Sequence, residues 1–296
     1  MKRRFVILIC PWFPPEWSMR DLLQKALCAA ATDLGFEART TVPELDEQNH
    51  DDVYVALETR AIPEGPPRGT VLLYNLEPLP MPEYLSREHA SVVFRQSYEI
   101  IRNSLKESGG SVDGILDYCE STTRFLLEQG HRAVFCPPGF HESIVVKDAV
   151  PFRQGVYVLG KNRPGCRRAR AAKRFNAQYV YTRNSVKARE RLSVTPGVHV
   201  CLQRERDVLT FGGMKMIQMY LANKRFVISE PYWWSPLNSG EHYLEVPAER
   251  IPDFVTYYYY NSREADEIAL NGFKYIKRSL HMTNWLKRAL EVLRVL

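Results

Sequence analysis

Short runs of hydrophobic residues alternate along this chain with longer segments in which apolar residues recur every three or four positions. The runs have the length of buried strands, and the spaced segments are typical of amphipathic helices. Because the runs are apolar almost throughout, they indicate parallel strands with helices on both faces of the sheet, and we expect an α/β protein. The predicted strands are residues 5–10, 53–57, 70–74, 114–118, 133–136, 156–159, 178–181, 199–202 and 225–229.

The predicted helices fall between these strands, so strand and helix alternate along the chain. An irregular polar segment, residues 141–154, contains Pro151 and interrupts the alternation, which then restarts. We therefore predict two Rossmann-like domains, residues 1–150 and 151–296. The predicted helices are residues 19–34, 88–105, 120–129, 167–175, 186–192 and 214–223, with two more towards the C-terminus that include a run of four tyrosines, of which at least one should be buried.

Length and composition allow both domains a hydrophobic core. The chain has 296 residues, 45% of them hydrophobic, and no apolar run approaches the roughly 20 residues of a membrane span. The opening MKRRFVILICPWFPP is basic, but its apolar run is short and prolines follow, which favours a first strand over a secretion signal. Six scattered cysteines, without CxxC pairs or zinc-type spacing to histidine, predict reduced thiols in a cytoplasmic protein and no metal site.

The net charge of +6 favours an anionic ligand or partner without identifying it. Part of the charge is clustered after the predicted strand 156–159. Phosphate groups bind at such positions in α/β proteins, although a solvated helix face is the ordinary explanation of a basic cluster. The residues are Arg163, Arg167, Arg168, Arg170, Lys173 and Arg174, followed by Lys187, Arg189 and Arg191.

Tandem Rossmann-like domains are used by dinucleotide enzymes, periplasmic-type binding proteins and GT-B glycosyltransferases. A dinucleotide site should have a GxGxxG sequence between the first strand and the first helix. The sequence there is ICPWFPPEWS, without any glycine, which argues against a dinucleotide enzyme. We find no export signal in the sequence, which disfavours a periplasmic-type binding protein.

Six segments, taken in order, carry a resemblance to a known family. In the N-terminal half they are LLYNLEPL and ILDYCESTTRFLLEQGHRAVFCPPGF. In the C-terminal half they are MIQMYLANKRFVISE, NSGEHYLEV, YYYYNSREADEIALNGFKYIK and HMTNWLKRALEVL. Together they resemble the CgeB-like (spore-maturation) group of GT-B glycosyltransferases. The resemblance implies two Rossmann-like domains facing across a cleft, a C-terminal helix that packs back, and sugar transfer from a nucleotide sugar.

The donor of such an enzyme carries a diphosphate, which basic side chains, backbone N–H groups and helix N-termini bind well. The resemblance therefore implies donor binding by the loops that follow two strands of the C-terminal half. Glu230 and Glu241 would bind sugar or ribose hydroxyls, with surface or capping roles as the alternative, and an ordinary turn is the alternative for Gly240. The candidate donor-binding residues are Gly160, Lys161, Arg163, Arg167, His141, Glu230, Ser239, Gly240, Glu241 and His242.

One position departs from the family. Many GT-B enzymes have a glutamate in the helix equivalent to residues 214–223, where it binds the nucleotide ribose. Met219 stands at that position in this chain, and the helix contains no acidic residue, so the ribose contact and the stereochemistry stay open. We expect Met219 to pack in the core. A UDP-sugar is the favoured donor, a GDP-sugar is the alternative, and no further cofactor is implied.

An inverting transfer needs a general base beside the acceptor hydroxyl, at the carboxyl end of an N-terminal strand. Glu77, shortly after the strand 70–74, is the first candidate. Glu16 and Asp117 also follow strands, although each can instead cap the next helix. Basic groups and backbone amides can stabilise the leaving group, so no metal is required.

The acceptor is the least determined part. A saccharide or small molecule is the first hypothesis. The second is a hydroxymethylated DNA base, which the basic charge and the arginine-rich segment favour and which the enzyme would have to extrude from the base stack. A non-catalytic nucleic-acid-binding protein on the same fold ranks third, because the sequence has no recognised nucleic-acid-binding motif.

Overall fold

The computed structural model describes the chain in separate stretches. They are residues 3–9, 20–41, 50–57, 61, 68–76, 112–146, 155–160, 178–181, 197–202, 214–232 and 235–296. The predicted helices 88–105, 167–175 and 186–192 lie outside these described residues and stay predictions. The described residues form two compact α/β units, each built on one sheet.

A six-stranded parallel sheet forms the first unit. Its strands are β1 (Arg4–Leu8), β2 (Glu37–Thr41), β3 (Val53–Ala56), β4 (Thr70–Asn75), β5 (Gly114–Asp117) and β6 (Ala133–Phe135). They lie in the order β2-β1-β3-β4-β5-β6, and every neighbouring pair is parallel. β3 and β5 are buried along their whole length, as their apolar sequences predict. β2 was not predicted, because its sequence EARTT is polar and lies at the sheet edge, partly exposed.

Two helices of the N-terminal half agree with the sequence pattern. Helix α1 (Arg20–Asp33) buries Leu22, Leu23, Ala26 and Leu27, which recur at helical spacing on one face. It ends before Gly35, whose φ of +89° is the left-handed conformation that glycine adopts without strain. Helix α2 (Glu120–Glu128) connects β5 with β6.

A five-stranded parallel sheet forms the second unit. Its strands are β7 (Val156–Gly160), β8 (Gln178–Tyr181), β9 (Val198–Cys201), β10 (Val227–Ser229) and β11 (Leu244–Glu245). They lie in the order β11-β10-β9-β7-β8, all in parallel. β11 was not predicted, because two residues are too few to show a period.

The helix predicted at 214–223 is helical but not regular. Residues Met214–Tyr220 form a π-helix, and Leu221–Asn223 continue as a 3₁₀ turn. Lys224 then adopts a left-handed φ of +52°, which ends the helix. Met219 is 2% exposed, in agreement with the predicted packing role.

Three helices close the chain, where two were predicted. They are α3 (Ile251–Tyr260), α4 (Ser262–Ser279) and α5 (Met282–Val292). The break between α3 and α4 is at Asn261, whose φ and ψ of −108° and +52° are not helical. Within the tyrosine run, Tyr258 is buried in the core beside Phe226, as predicted for at least one of the four, whereas Tyr260 is 76% exposed.

The first turn of α1, up to Leu23, groups with the second unit. The chain enters the second unit again between Pro138 and Gly139, and it returns to the first unit after His281. Helix α5 therefore belongs to the first unit, as the predicted C-terminal helix that packs back should. Its Trp285 packs edge-on against Phe135 of β6, with ring centroids 5.5 Å apart. The predicted domain boundary near residue 150 falls outside the described residues and stays a prediction.

Candidate functional site

The carboxyl ends of the second sheet form one edge. Gly160 ends β7, Cys201 ends β9, Ser229 ends β10 and Glu245 ends β11. Ser229 is the register partner of both Cys201 and Glu245. Glu230 follows β10 directly and is only 6% exposed. Open α/β sheets bind ligands at this edge, so it is the candidate donor-binding site.

A hydrogen-bonded network joins these strand ends. The Tyr243 hydroxyl donates to Oε2 of Glu245, and the backbone N–H of Tyr232 donates to the same oxygen at 3.2 Å. The Tyr232 hydroxyl lies 3.5 Å from the Cys201 sulfur, and the Ser229 hydroxyl donates to the Cys201 carbonyl at 3.2 Å. Burial raises the pKa of both tyrosines well above the ordinary value, so both phenols remain protonated donors.

The predicted glycine-containing loop uses its backbone amides internally. The N–H of Gly240 donates to the Tyr243 carbonyl at 2.7 Å. The N–H groups of Glu241 and His242 both donate to the Asn238 carbonyl, at 3.4 and 3.0 Å. Gly240 has a φ of +83°, and open space surrounds the place where a β-carbon would stand. The bonded N–H and the positive φ are those of an ordinary turn, and close approach of Gly240 to a ligand stays a prediction.

The side chains of the same loop are also bonded within it. Ser239 Oγ accepts the backbone N–H of Glu245 at 2.8 Å, and His242 Nδ1 accepts the N–H of Asn238 at 3.0 Å. The exposed Glu241 carboxylate accepts from the Asn238 side chain at 3.0 Å. The loop is therefore a preformed turn whose polar groups hold its own shape.

Helix α4 supports this turn from one side. The ring of His242 stacks on Tyr275 with centroids 4.2 Å apart. A β-carbon on Gly272 would lie 2.5 Å from the His242 carbonyl oxygen, so the helix approaches this closely only because residue 272 is glycine. Burial lowers the pKa of His242, which favours a neutral ring at this contact.

His141 is almost buried at the beginning of the second unit. It caps the 3₁₀ turn Glu142–Ile144, and its Nδ1 accepts the backbone N–H of Ser143 at 3.0 Å. With Nδ1 as an acceptor, the proton of the neutral ring is assigned to Nε2. The ring lies 5.3 Å from that of His281. Nε2 is therefore a hydrogen-bond donor, which suits the predicted contact with an anionic donor.

Glu142 ties this segment to the end of α4. Its two oxygens lie 3.2 Å from the Lys277 ammonium and 3.1 Å from His281 Nε2. Burial alone would raise the pKa of Glu142, but hydrogen bonds from His281 and Lys277 outweigh it and lower the pKa to about 2. The carboxylate therefore stays ionised at neutral pH.

Two amide side chains, one in the π-helix and one in the 3₁₀ turn after it, hold the other side of the His141 segment. Gln218 is fully buried, and its Nε2 donates to the Gly139 carbonyl at 3.1 Å. Asn223 accepts the N–H of Val146 at 2.7 Å. Because these bonds lie on either side of His141 in the chain, they fix the backbone that carries its ring.

In the first unit, Asp117 lies at the carboxyl edge of the sheet and is fully buried. Its Oδ2 accepts from Asn75, the register partner on β4, at 2.6 Å, and its Oδ1 accepts the Cys119 N–H at 2.7 Å just before α2. Burial raises the pKa of Asp117 to about 7, against the lowering effect of these two donors. The second bond goes to the backbone of Cys119, the N-cap residue itself, so it shapes the turn before α2 and is not the predicted cap; the helix has no side-chain cap.

The remaining predicted site residues cannot be placed. Of the two loops predicted to bind the diphosphate, the one after β7 lies outside the described residues beyond Gly160. Of the candidate bases, only Asp117 is described. The predicted residues outside the described stretches are Glu16, Glu77, Lys161, Arg163 and Arg167.

Several polar residues of these regions did not stand out in the sequence. Glu245 lies in the motif NSGEHYLEV, three residues after His242, but nothing in that motif distinguished it from its neighbours. Asn75 and Gln218 are single amides within apolar sequences, where only the fold reveals what they bond. Glu142 lay in a segment predicted to be irregular, and its partner His281 is distant in sequence.

Within the described stretches, no group of three or more histidine, cysteine, aspartate or glutamate residues is arranged to hold a metal ion. The cysteines described there, Cys28, Cys119, Cys136 and Cys201, are free thiols. Among the helices that the structure describes, none has the length and hydrophobicity needed to cross a bilayer.

Comparison with known proteins identifies the fold. No sequence family and no curated protein matches this chain. The crystal structure of Anabaena Alr3699/HepE with UDP and glucose matches with a TM-score of 0.61 at 8% identity, over 100% of both chains. The HepE complex with UDP-glucose gives 0.59 at 9% identity, over 99% of this chain and 100% of HepE. The fold is that of GT-B glycosyltransferases.

A second GT-B structure matches in part. The crystal structure of TarM gives a TM-score of 0.54 at 10% identity, over 83% of this chain and 55% of TarM. The chain thus spans little more than half of TarM, whereas it spans HepE completely. The GT-B assignment confirms the predicted α/β class with two Rossmann-like units.

Proposed function

We propose that this chain is a glycosyltransferase that moves a sugar from a UDP-sugar to an acceptor hydroxyl. The observation that carries the proposal is the likeness along the whole chain to HepE, whose crystal structures contain UDP-glucose, UDP and glucose, or UDP. The lack of a glycine-rich dinucleotide sequence after β1 supports the same conclusion, because it removes the main alternative use of two Rossmann-like units.

We place the donor at the carboxyl edge of the second sheet. Glu230 and the Nε2 donor of His141 are its described contacts in this proposal. Because the N–H groups of Gly240, Glu241 and His242 are already bonded within the loop, we assign the diphosphate contacts to the segment after Gly160. The basic residues assigned to the diphosphate are Lys161, Arg163 and Arg167.

Three further features belong to the proposal. The CgeB-like subgroup is supported by the order of the six sequence motifs. A cytoplasmic location fits the free thiols. Transfer without a metal fits a diphosphate that basic side chains neutralise.

Glu77 remains the first candidate for the general base. A base must reach the proton that it removes. Asp117 is fully buried, and both of its oxygens accept hydrogen bonds from the protein, so it suits a positioning role better than direct contact with the acceptor. Glu16 is the remaining alternative.

Release of UDP from UDP-sugars, measured with a panel of saccharide acceptors, tests this proposal. Glu77→Gln should lower kcat by about 100-fold or more while UDP affinity is kept, because the variant loses proton transfer but no donor contact. Glu120→Gln, at an exposed position on α2, is the matched control and should turn over like the wild type. Unimpaired turnover of Glu77→Gln would dismiss this residue as the base, and absence of UDP release with every sugar and acceptor would contradict the proposal.

A hydroxymethylated DNA base is the alternative acceptor, and the net charge of +6 is the observation that favours it. Contacts to phosphates would make duplex binding steeply salt-dependent. Arg167→Ala, Arg168→Ala and Arg170→Ala together should then abolish duplex binding. Binding that is insensitive to salt and to these changes would exclude DNA as the acceptor, as well as the non-catalytic nucleic-acid-binding alternative.

A further inference from the structure

Glu245 is a carboxylate at the ligand-binding edge that lies within the motif NSGEHYLEV but was not among the predicted site residues. It ends β11, where the preceding Leu244 is buried in the core and Glu245 itself is partly exposed. Its backbone is fixed, because its N–H donates to Ser239 Oγ at 2.8 Å. The residue therefore stands at a defined position at the edge of the sheet.

The two oxygens of this carboxylate differ. Oε2 accepts both the Tyr243 hydroxyl and the Tyr232 N–H, which orient the group. Oε1 receives no hydrogen bond from any residue that the structure describes. Because the phenol of Tyr243 is held in its protonated form, Oε2 stays occupied. One oriented acceptor is left at a partly exposed position.

The chemistry of the group restricts what it can bind. An ionised carboxylate only accepts hydrogen bonds, so it takes hydroxyl or N–H donors. It repels a diphosphate, because both are negatively charged. In a nucleotide sugar, the hydroxyls of the ribose and of the transferred sugar are donors of this kind. The π-helix Met214–Tyr220 contains no acidic side chain, so it offers no carboxylate to these hydroxyls.

We propose that Oε1 of Glu245 accepts a hydroxyl of the nucleotide sugar and thereby contributes to selection of the donor. This inference rests on the proposed function. It adds to that function a specificity-determining residue on β11, the edge strand of the second sheet. The competing explanation is that Glu245 only braces Tyr232 and Tyr243, in which case Oε1 touches no ligand.

Calorimetric titration of the full chain with UDP, 2′-deoxy-UDP and UDP-glucose tests the inference. Wild-type protein should bind UDP more tightly than 2′-deoxy-UDP if the hydroxyl is that of the ribose. Glu245→Ala should then weaken UDP binding about tenfold or more, as expected for a lost bond to a charged acceptor, and should abolish the preference over 2′-deoxy-UDP. If the hydroxyl belongs to the transferred sugar, Glu245→Ala should leave UDP affinity unchanged and weaken UDP-glucose alone.

Glu249→Ala, at an exposed position nearby, is the matched control and should bind UDP like the wild type. Tyr243→Phe removes one of the two bonds that orient Oε2 and leaves Oε1 in place, so it should weaken binding by less than Glu245→Ala. If Glu245 only braces Tyr232 and Tyr243, Tyr243→Phe and Glu245→Ala should instead weaken binding equally. If Glu245→Ala fails to fold, Glu245→Gln, which keeps the size of the side chain, takes its place in the same titrations.

The outcomes separate this inference from the proposed function. If wild-type protein binds UDP or UDP-glucose but Glu245→Ala and Glu245→Gln bind both like the wild type, the role of Glu245 is overturned and the proposed function stands. If wild-type protein binds none of the three nucleotides, the proposed function fails and the inference fails with it.

Discussion

Asp117 is a buried carboxyl group whose two hydrogen-bond donors only partly offset the cost of burial. The sequence placed it correctly at a strand end and offered two roles, base or helix cap. Burial and the hydrogen bonds to Asn75 and Cys119, which sequence cannot give, instead suit the positioning role proposed above. For His141 the structure adds a detail that suits its predicted role. The backbone N–H of Ser143 donates to Nδ1, which assigns the ring proton to Nε2, and the sequence does not reveal this bond.

The raised pKa of Asp117 predicts a pH effect on stability. The folded chain binds this proton with a pKa of about 7, against an ordinary value of 3.8. The free energy of unfolding should therefore fall as pH rises from about 4 to about 7, by at most about 1.4 kcal/mol per pH unit. Asp117→Asn lacks the titrating group, so urea unfolding should show wild type losing stability relative to the variant over this window. Parallel profiles of the two proteins would contradict the assignment.

At the scale of elements, apolar runs predicted the strands well, because buried parallel strands are apolar on both faces. The edge strand β2 and the two-residue strand β11 were not predicted, because neither contains such an apolar run. The sequence also predicted the helical segment 214–223 but not its π-helical form. Side-chain periodicity does not distinguish hydrogen-bond registers that differ by one residue.

The contact between α4 and the turn Ser239–His242 gives a prediction at this scale. In Gly272→Ala the new β-carbon meets the His242 carbonyl oxygen, so the turn must shift, and we expect a loss of about 1–3 kcal/mol in the free energy of unfolding. Asn271→Ala, at the exposed neighbouring position, should change it by less than about 0.5 kcal/mol. Thermal unfolding measures both. A more stable Gly272→Ala would disprove the close approach, because alanine is otherwise the better helix former.

At the scale of the whole molecule, alternation of strand and helix was enough to predict an α/β protein with two Rossmann-like units. The GT-B fold agrees with that prediction and with the motif resemblance. The site was less predictable, because it depends on contacts between residues distant in sequence. Glu142 contacts His281, and Gln218 contacts Gly139. In each pair the stretch of sequence between the two residues is more than half the length of the second unit.

Binding of UDP by the wild-type chain is the direct test of the proposed UDP-sugar donor. Calorimetry with UDP, GDP and dTDP side by side needs no knowledge of the acceptor. We expect saturable binding of UDP, with GDP and dTDP weaker. Failure of all three nucleotides to bind would show that this chain does not use a nucleotide sugar of this kind.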